Sequence, residues 1–319
     1  MKAAVVRSFD LPPKYEDFPE PVAAEGEVLV EVKAAGLHQV VKSLASGHHY
    51  GSTGELPLVP GVDGVGRLAE GKRVYFGATR PAYGTFAERS VTKPWMCVPL
   101  PDELDDVTAA ALANPGMSSR AALMRAQFVA GESVLILGAT GVAGRLAVQM
   151  ARRLGAQRVV AAGRNPAALE ELAGLGADAV ISLNQEQDAL VEALRAAMAE
   201  AKINVVLDYL WGQPAEALLQ AIAQKGLSRA APRIRFVQIG SMAGTTISLP
   251  AAVLRSSGLE LLGSGFGSAS LEQILQAVSE LFREAAKKPF QIAVKAAPLS
   301  EVEALWDSSE QGTRLVFQP

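Results

Sequence analysis

The chain has 319 residues, of which 49% are hydrophobic and 20% charged, and its formal net charge is −3. That length suits two domains with a sizeable core, and charges of both signs are interspersed, which argues against nucleic-acid and membrane-surface partners. Cys97 is the only cysteine, so an intramolecular disulfide is excluded and a reducing, cytoplasmic setting is expected; Ala3 to Val6 is too short a run for a signal-peptide core, and no apolar run reaches membrane-spanning length.

From Met1 to about Val98 the texture is short strands broken by Gly and Pro, at Val28 to Val32, Arg73 to Phe76 and Phe86 to Val91, with hardly any helical periodicity. This is the pattern of a small β-barrel. A helical passage follows at Val107 to Leu112.

The most informative stretch begins at Val134. Val134 to Leu137 is an uncharged, β-rich run of the kind expected for a parallel strand buried on both faces, and it leads into Gly138, Gly141 and Gly144. The first glycine permits a tight turn, the second lets backbone N–H groups approach a pyrophosphate, and the third lets a helix pack close to its strand. Val142, Leu146, Met150 and Leu154, with Ala143, Ala147 and Ala151 beside them, form the apolar stripe of that helix. Its N-terminus would aim a partial positive charge at phosphate.

Arg158 to Ala162 reads as the next strand. About twenty residues past the glycines, an NAD-selective fold places an acidic residue that accepts from the ribose 2′-hydroxyl. This chain instead has Gly163-Arg164-Asn165. An arginine here offers several donors and a permanent charge to a 2′-phosphate, which favours NADPH over NADH; the alternative is an ordinary solvated loop arginine. Further strands are expected at Val180 to Leu183, Ile203 to Asp208, Ile234 to Gly240 and Leu259 to Gly263, with helices at Ala167 to Leu175, Gln187 to Glu200 and Pro214 to Lys225. Six strands with crossover helices make an α/β doubly wound parallel sheet. Gly240 to Gly267, interrupted by two apolar strand-like stretches, reads as loops at a ligand site. Ser270 caps a last helix with Gln273 three residues on, and Leu271, Ile274, Leu275, Val278, Leu281 and Phe282 form its stripe. The tail returns to strand at Ile292 to Lys295 and Arg314 to Phe317, which suggests that it rejoins the first domain.

Taken together, Val32-Lys-Ala-Ala-Gly-Leu37, Pro60-Gly-Val-Asp-Gly-Val-Gly66, Tyr83-Gly-Thr-Phe-Ala-Glu88, Pro99-Leu-Pro-Asp102, the glycine loop and Pro298-Leu-Ser-Glu-Val-Glu303 resemble, in order and spacing, the zinc-independent quinone oxidoreductases of the medium-chain dehydrogenase/reductase superfamily. The resemblance implies a GroES-like β-barrel catalytic domain over residues 1–110 and 266–319, a Rossmann NADP-binding domain over 111–265, a cofactor in the cleft, and a homodimer joined through Leu259 to Gly263. Alcohol dehydrogenases of the superfamily hold a catalytic zinc with a Cys, a His and usually a later Cys. The corresponding places here hold His38, Val62 and Asn114, of which only His38 could ligate, and Asp63 stands next to the missing His. A zinc site needs about three protein ligands, so no metal is expected. The four-cysteine structural zinc lobe is absent too. His48 and His49 are adjacent and diverge, which reads as a solvated loop or the cleft mouth rather than a chelating pair.

Without a Lewis acid, hydride addition to a carbon activated by a conjugated carbonyl is easier than alcohol oxidation. The expected reaction is therefore NADPH-dependent reduction of a small-molecule quinone or enone. The family usually has Asn where His38 stands, so His38 and Tyr50 are the candidates to donate a hydrogen bond or proton, each with a packing or rim role as the alternative. Ser118, within Asn114-Pro-Gly-Met-Ser-Ser119, keeps a hydroxyl near the nicotinamide. The cofactor contacts that the resemblance implies, carried over by position, are Ser118, Gly138, Thr140, Gly141, Val142, Ala143, Gly144, Gly163, Arg164, Asn165, Asp208, Leu210, Gly240, Ser241, Gly265 and Phe266; the loops after the later strands fit this, because parallel sheets bind ligands beyond their strand C-termini. Trp211 and Phe266 are candidates to shape an apolar acceptor pocket, or simple packing. Ala167 replaces a lysine frequent in the family, leaving Arg164 without a helper. The rival readings are an enoyl-thioester or enone reductase and a catalytically silent NADPH-binding sensor.

Overall fold

The computed structural model describes residues 1–223, 231–308, 310 and 312–319. The chain divides into two compact units, Met1–Met117 with Leu275–Pro319, and Ser118–Ile274.

The first unit opens with β1 (Lys2–Val5) and β2 (Lys14–Asp17), an antiparallel pair. Then come β3 (Val28–Gly36), α1 (Gln39–Ala45), β4 (Asp63–Arg67), β5 (Arg73–Gly77), β6 (Arg89–Thr92), β7 (Cys97–Pro99) and α2 (Asp106–Arg125). β3 is the spine. Its nine residues pair antiparallel with β6 at Val28 to Glu31 and with β4 at Glu31 to Ala34. Val30, Val32, Val74 and Phe76 fill the face beneath it. Two expectations need correction. The strand expected from Phe86 is β6 and begins at Arg89, because Phe86 and Ala87 lie outside the ladder with only an isolated bridge between Ala87 and Ala3. The helix expected to stop at Leu112 continues through Pro115 to Arg125. Its buried Ala109 to Ala111, Leu112, Ala113, Ala121 and Ala122 combine strong helix propensity with a packed face, and these outweigh the proline's missing N–H. Gly116 lets the helix approach Leu281, whose Cδ2 would lie 2.7 Å from a Cβ there.

The second unit is the doubly wound α/β sheet. Its elements are β8 (Ser133–Leu137), α3 (Val142–Arg153), β9 (Arg158–Gly163), α4 (Pro166–Leu175), β10 (Ala179–Ser182), α5 (Gln187–Ala201), β11 (Ile203–Asp208), α6 (Gly212–Ile222), β12 (Arg233–Gln238), α7 (Ala251–Ser256) and β13 (Gly258–Gly263). The six strands are all parallel, in the order β10-β9-β8-β11-β12-β13. The order reverses beside β8, so the glycine turn after β8 sits at the topological switch point. Every residue of β8 is buried, and Leu146, Ala147, Met150 and Ala151 of α3 pack inward as the stripe requires. β12 ends at Gln238 rather than Gly240, since the amides of Ile239 and Gly240 turn to the carbonyl of Asp208. One apolar stretch in the expected loop region is the short helix α7 instead of a strand. The expected helix end at Lys225 lies outside the described residues.

The chain then returns through α8 (Leu271–Lys287), β14 (Ala293–Pro298), α9 (Val302–Leu305) and β15 (Thr313–Gln318). Ser270 and Gln273 form the expected capping box, with Gln273 N–H donating to Ser270 Oγ at 3.2 Å and Ser270 N–H to Gln273 Oε1 at 3.0 Å. The α8 stripe is buried from Ala277 to Ala285, whereas Leu271 is exposed. β15 pairs antiparallel with β3, placing Val316 opposite Gly36, and β14 runs parallel beside it. Phe317 stacks edge-on against Phe86 at 5.5 Å.

Candidate functional site

The glycine turn separates three jobs that the sequence pattern lumps together. Gly138 has φ +85°, a conformation open to glycine. A Cβ on Gly144 would stand 2.3 Å from Gly138 O and 2.5 Å from Ala139 Cα, so the third glycine is a packing requirement. Gly141, at the N-cap of α3, would meet nothing closer than 3.7 Å. Only the outer side of Gly141 is open, which is what a close-approaching phosphate needs. The turn amides themselves are partly spent: Gly138 and Ala139 N–H donate to Ala162 O, and Gly141 N–H to Gly138 O. The first-turn amides of Val142, Ala143 and Gly144 lack intrahelical acceptors and face out at the positive end of the helix.

At the end of β9, Gly163 makes room for Thr140, whose Cγ2 would lie 2.5 Å from a Cβ there. Arg164 is exposed, and its guanidinium has no hydrogen bond or ion pair among the described residues. Asn165 caps α4 through its Oδ1, which accepts from Ala168 N–H at 3.2 Å. Gly163, Arg164 and Asn165 place no carboxylate at this strand end among the described residues. These residues therefore fit a phosphorylated ribose better than a free 2′-hydroxyl.

Across the switch point lies the turn after β11. Tyr209 and Leu210 pack against Gly138, with Leu210 Cδ2 3.1 Å and Tyr209 Cβ 3.3 Å from where a Cβ would be. Tyr209 Oη lies 3.5 Å from Ser118 Oγ, and burial raises its pKa well above the usual phenol range. Asp208 is fully buried, and burial pushes its carboxyl up to about 6 against the opposing pull of the Leu210 and Trp211 amides. Trp211 packs edge-on against Phe236 at 6.2 Å, a core contact. Gly240 backs onto Tyr209 O, and Ser241 O accepts from Gly244 N–H. Gly265 closes a small turn with Ser268, and Phe266 is 44% exposed beside it.

The two candidate donors of the first unit part company. Tyr50 is 74% exposed and lies over the His49 ring at 4.2 Å, in a turn where His49 Nδ1 accepts from Gly51 N–H. His38 is 2% exposed and folded back over Gly36 under Ala110 O. Its Nε2 is 3.2 Å from Asp63 Oδ1, yet neither ring nitrogen has a well-aligned partner. Asp63 Oδ2 accepts from Tyr75 Oη at 3.1 Å. Arg314 donates to Leu37 O at 2.6 Å, while its Nε is also unpartnered. Burial lowers the His38 pKa against the raising pull of Asp63, and Arg314 adds to the lowering. Burial also holds Arg314 down to about 10, again opposed by Asp63. Sequence reasoning does not single out Asp63, Tyr75 or Arg314 as site residues; only the charged residue inside Pro60-Gly-Val-Asp63 hints at them. One imidazole and one carboxylate beside a guanidinium are a poor donor set for zinc, and among the described residues no group of three or more His, Cys, Asp or Glu is placed to hold a metal.

Comparison with known proteins bears on the same features. Residues 143–282 match the family described as zinc-binding dehydrogenase. Over the full length of both proteins, the chain is 29% identical to a "Probable NADPH-dependent quinone reductase" of Emericella nidulans. It is 30% identical to a chloroplastic NADPH-dependent alkenal/one oxidoreductase of Arabidopsis thaliana, over 52% of this chain and 47% of that one, so it spans about half of that relative. Among solved structures, the quinone oxidoreductase of Thermus thermophilus, whose complex with NADPH is described, superposes over all of both chains with a TM-score of 0.80 at 29% identity. No helix among the described residues is long and apolar enough to cross a membrane. With the doubly wound sheet, the separate β unit and these likenesses in hand, the chain is similar over its full length to quinone oxidoreductases of the medium-chain dehydrogenase/reductase superfamily.

Proposed function

We propose that this oxidoreductase uses NADPH to reduce a quinone or another α,β-unsaturated carbonyl without zinc. The observation that carries the cofactor is the pairing of an open Gly141 with an unengaged Arg164 at a strand end free of carboxylate; the NADPH-dependent relatives support the same reading. The α3 amides and Gly141 would hold the diphosphate, and Arg164 the 2′-phosphate. NADPH bound there would supply the hydride. The domain roles follow the two stretches of sequence expected for them: residues 111–265 bind nucleotide, while 1–110 and 266–319 handle the acceptor. In the latter, the burial of His38 favours action through orientation over contact with substrate. Tyr50 is the far more exposed of the two candidates. The unpaired edge of β13, with Leu261 exposed, is the proposed seam of a homodimer.

The alkenal/one reductase relative favours a second reading of the acceptor, an enone or enoyl thioester. A stopped assay of NADPH and NADH oxidation against a quinone, an enone and a crotonyl-type thioester separates these. Arg164→Ala should weaken NADPH by about 10- to 100-fold while leaving NADH within about 3-fold, the share of one charged contact. Equal losses for both nucleotides would remove Arg164 from the 2′-phosphate. Binding of NADPH with no turnover on any acceptor would select the silent sensor.

A further inference from the structure

Asp208 has both carboxylate oxygens committed to main-chain amides. Oδ1 accepts from Leu210 N–H at 2.8 Å and Trp211 N–H at 3.1 Å, and Oδ2 from Trp211 N–H at 3.2 Å. Its own carbonyl accepts from Ile239 and Gly240 N–H at 2.8 and 3.1 Å. This one residue therefore ties the turn after β11 to the turn after β12, and no cation pairs with it among the described residues. The turn it holds is strained. Trp211 sits at φ +56°, ψ −157°, a region that is essentially confined to glycine. Gly212 follows at φ +56°, where a Cβ would stand 2.6 Å from Ala243 O, and Ala243 N–H donates back to Leu210 O at 2.8 Å. Leu210 and Tyr209, carried by this turn, are the side chains that wall Gly138.

We propose that Asp208 is a positioning residue: its ionised carboxylate holds the strained Tyr209–Gly212 turn in the shape that sets Leu210 and Tyr209 against Gly138, and so presets the glycine cradle, without itself touching nucleotide. This reassigns a residue expected from the sequence to be a cofactor contact, and it rests on the nucleotide reading given above. A proton on either oxygen would turn an acceptor into a donor facing an N–H, and the Trp211 backbone would lose its restraint. The groups facing Asp208 are uncharged: its register partners on β8 and β12 are Leu137 and Gln238, and burial keeps Tyr209 in its neutral form. Any titration of the turn is therefore Asp208's own.

Trp211 is its own reporter. In nucleotide-free wild type, tryptophan fluorescence followed from about pH 8 to about pH 5 should show a step centred near 6, the value to which burial raises Asp208. The step should vanish in Trp211→Phe and in Asp208→Asn. At neutral pH, Asp208→Asn should weaken NADPH, read by nucleotide fluorescence, by about 10-fold. Adding Trp211→Gly should return affinity to within about 3-fold of wild type, because glycine accepts this φ and ψ without help. A wild type with no Trp211 step overturns the positioning role and requires no variant to fold. Weak binding that Trp211→Gly does not rescue also overturns it, by making Asp208 a direct contact. If wild type shows the step but binds no NADPH, the cofactor reading has failed and the role in presetting a cradle falls with it, while the turn's restraint stands.

Discussion

At Asp63 the chain buries a carboxylate between an imidazole, a phenol and a guanidinium, and only the phenol meets it as a well-aligned hydrogen bond. Arg314 is mostly buried with one good acceptor, Leu37 O, so the negative charge of Asp63 is what makes its burial tolerable. Asp63→Asn keeps the shape and leaves an acceptor for Tyr75 but strands the cation. It should cost about 1–3 kcal/mol in urea unfolding at neutral pH, less than a broken buried ion pair, because Arg314 forms no direct ion pair with Asp63 and retains Leu37 O. Tyr75→Phe should cost only about 1 kcal/mol. Arg314→Met in the Asp63→Asn background should recover much of the loss, and a purely additive double variant would show that the two charges do not communicate. None of this is legible in the sequence. Asp63 is visible there only as the neighbour of a missing zinc ligand, and Arg314 as one residue of a tail strand; the fold brings the two charges within each other's influence across about 250 positions of chain, where no local pattern reaches.

The strand, turn and helix around Gly138 are legible for the opposite reason. Buried β8, glycines at fixed spacing and a helical stripe are all local, and each constrains the next. What the spacing conceals is the difference between the glycines. Gly144→Ala drives a methyl into the backbone of Gly138 and Ala139, and it should destabilise the second unit by several kcal/mol, about 3 or more, since backbone has to move. Gly141→Ala meets open space and should leave urea stability within about 0.5 kcal/mol while weakening NADPH by about 10-fold or more, the loss expected when a methyl occupies the phosphate's approach. Comparable losses of stability in both variants would contradict the division of labour. The helix through Pro115 and the glycine-like backbone at Trp211 escape a sequence reading because each breaks a residue preference that tertiary packing overrides. Arg235 escapes for a related reason. It sits in the middle of a buried strand, where it donates to Ala126 O and Gln127 O and pairs with Glu132, thereby holding the C-terminal end of α2.

For the whole molecule, two buried groups, one in each unit, pull stability in opposite directions as pH changes. Burial lowers the pKa of His38, so below its unfolded value near 6.5 the unfolded chain binds the proton first, and its contribution to stability is lost as pH falls. Asp208 runs the other way. Its folded value of about 6 exceeds the ordinary 3.8, so the native state binds the proton first, and stability declines as pH rises from about 4 to about 6, by as much as about 3 kcal/mol at about 1.4 kcal/mol per unit. Urea unfolding of wild type and of Asp208→Asn at several pH values should therefore give curves that diverge toward acid, with wild type gaining up to that amount relative to the variant between neutral pH and about pH 4. His38→Asn should show the converse, losing the acid-side decline. Because each comparison reads a change with pH rather than an absolute stability, a constant packing penalty from either substitution cancels. Parallel curves for Asp208→Asn would mean that its carboxylate is as well solvated in the fold as in the open chain. A fold that keeps such a carboxylate ionised at neutral pH, at a cost to its own stability, is retaining it for the shape of the turn it holds.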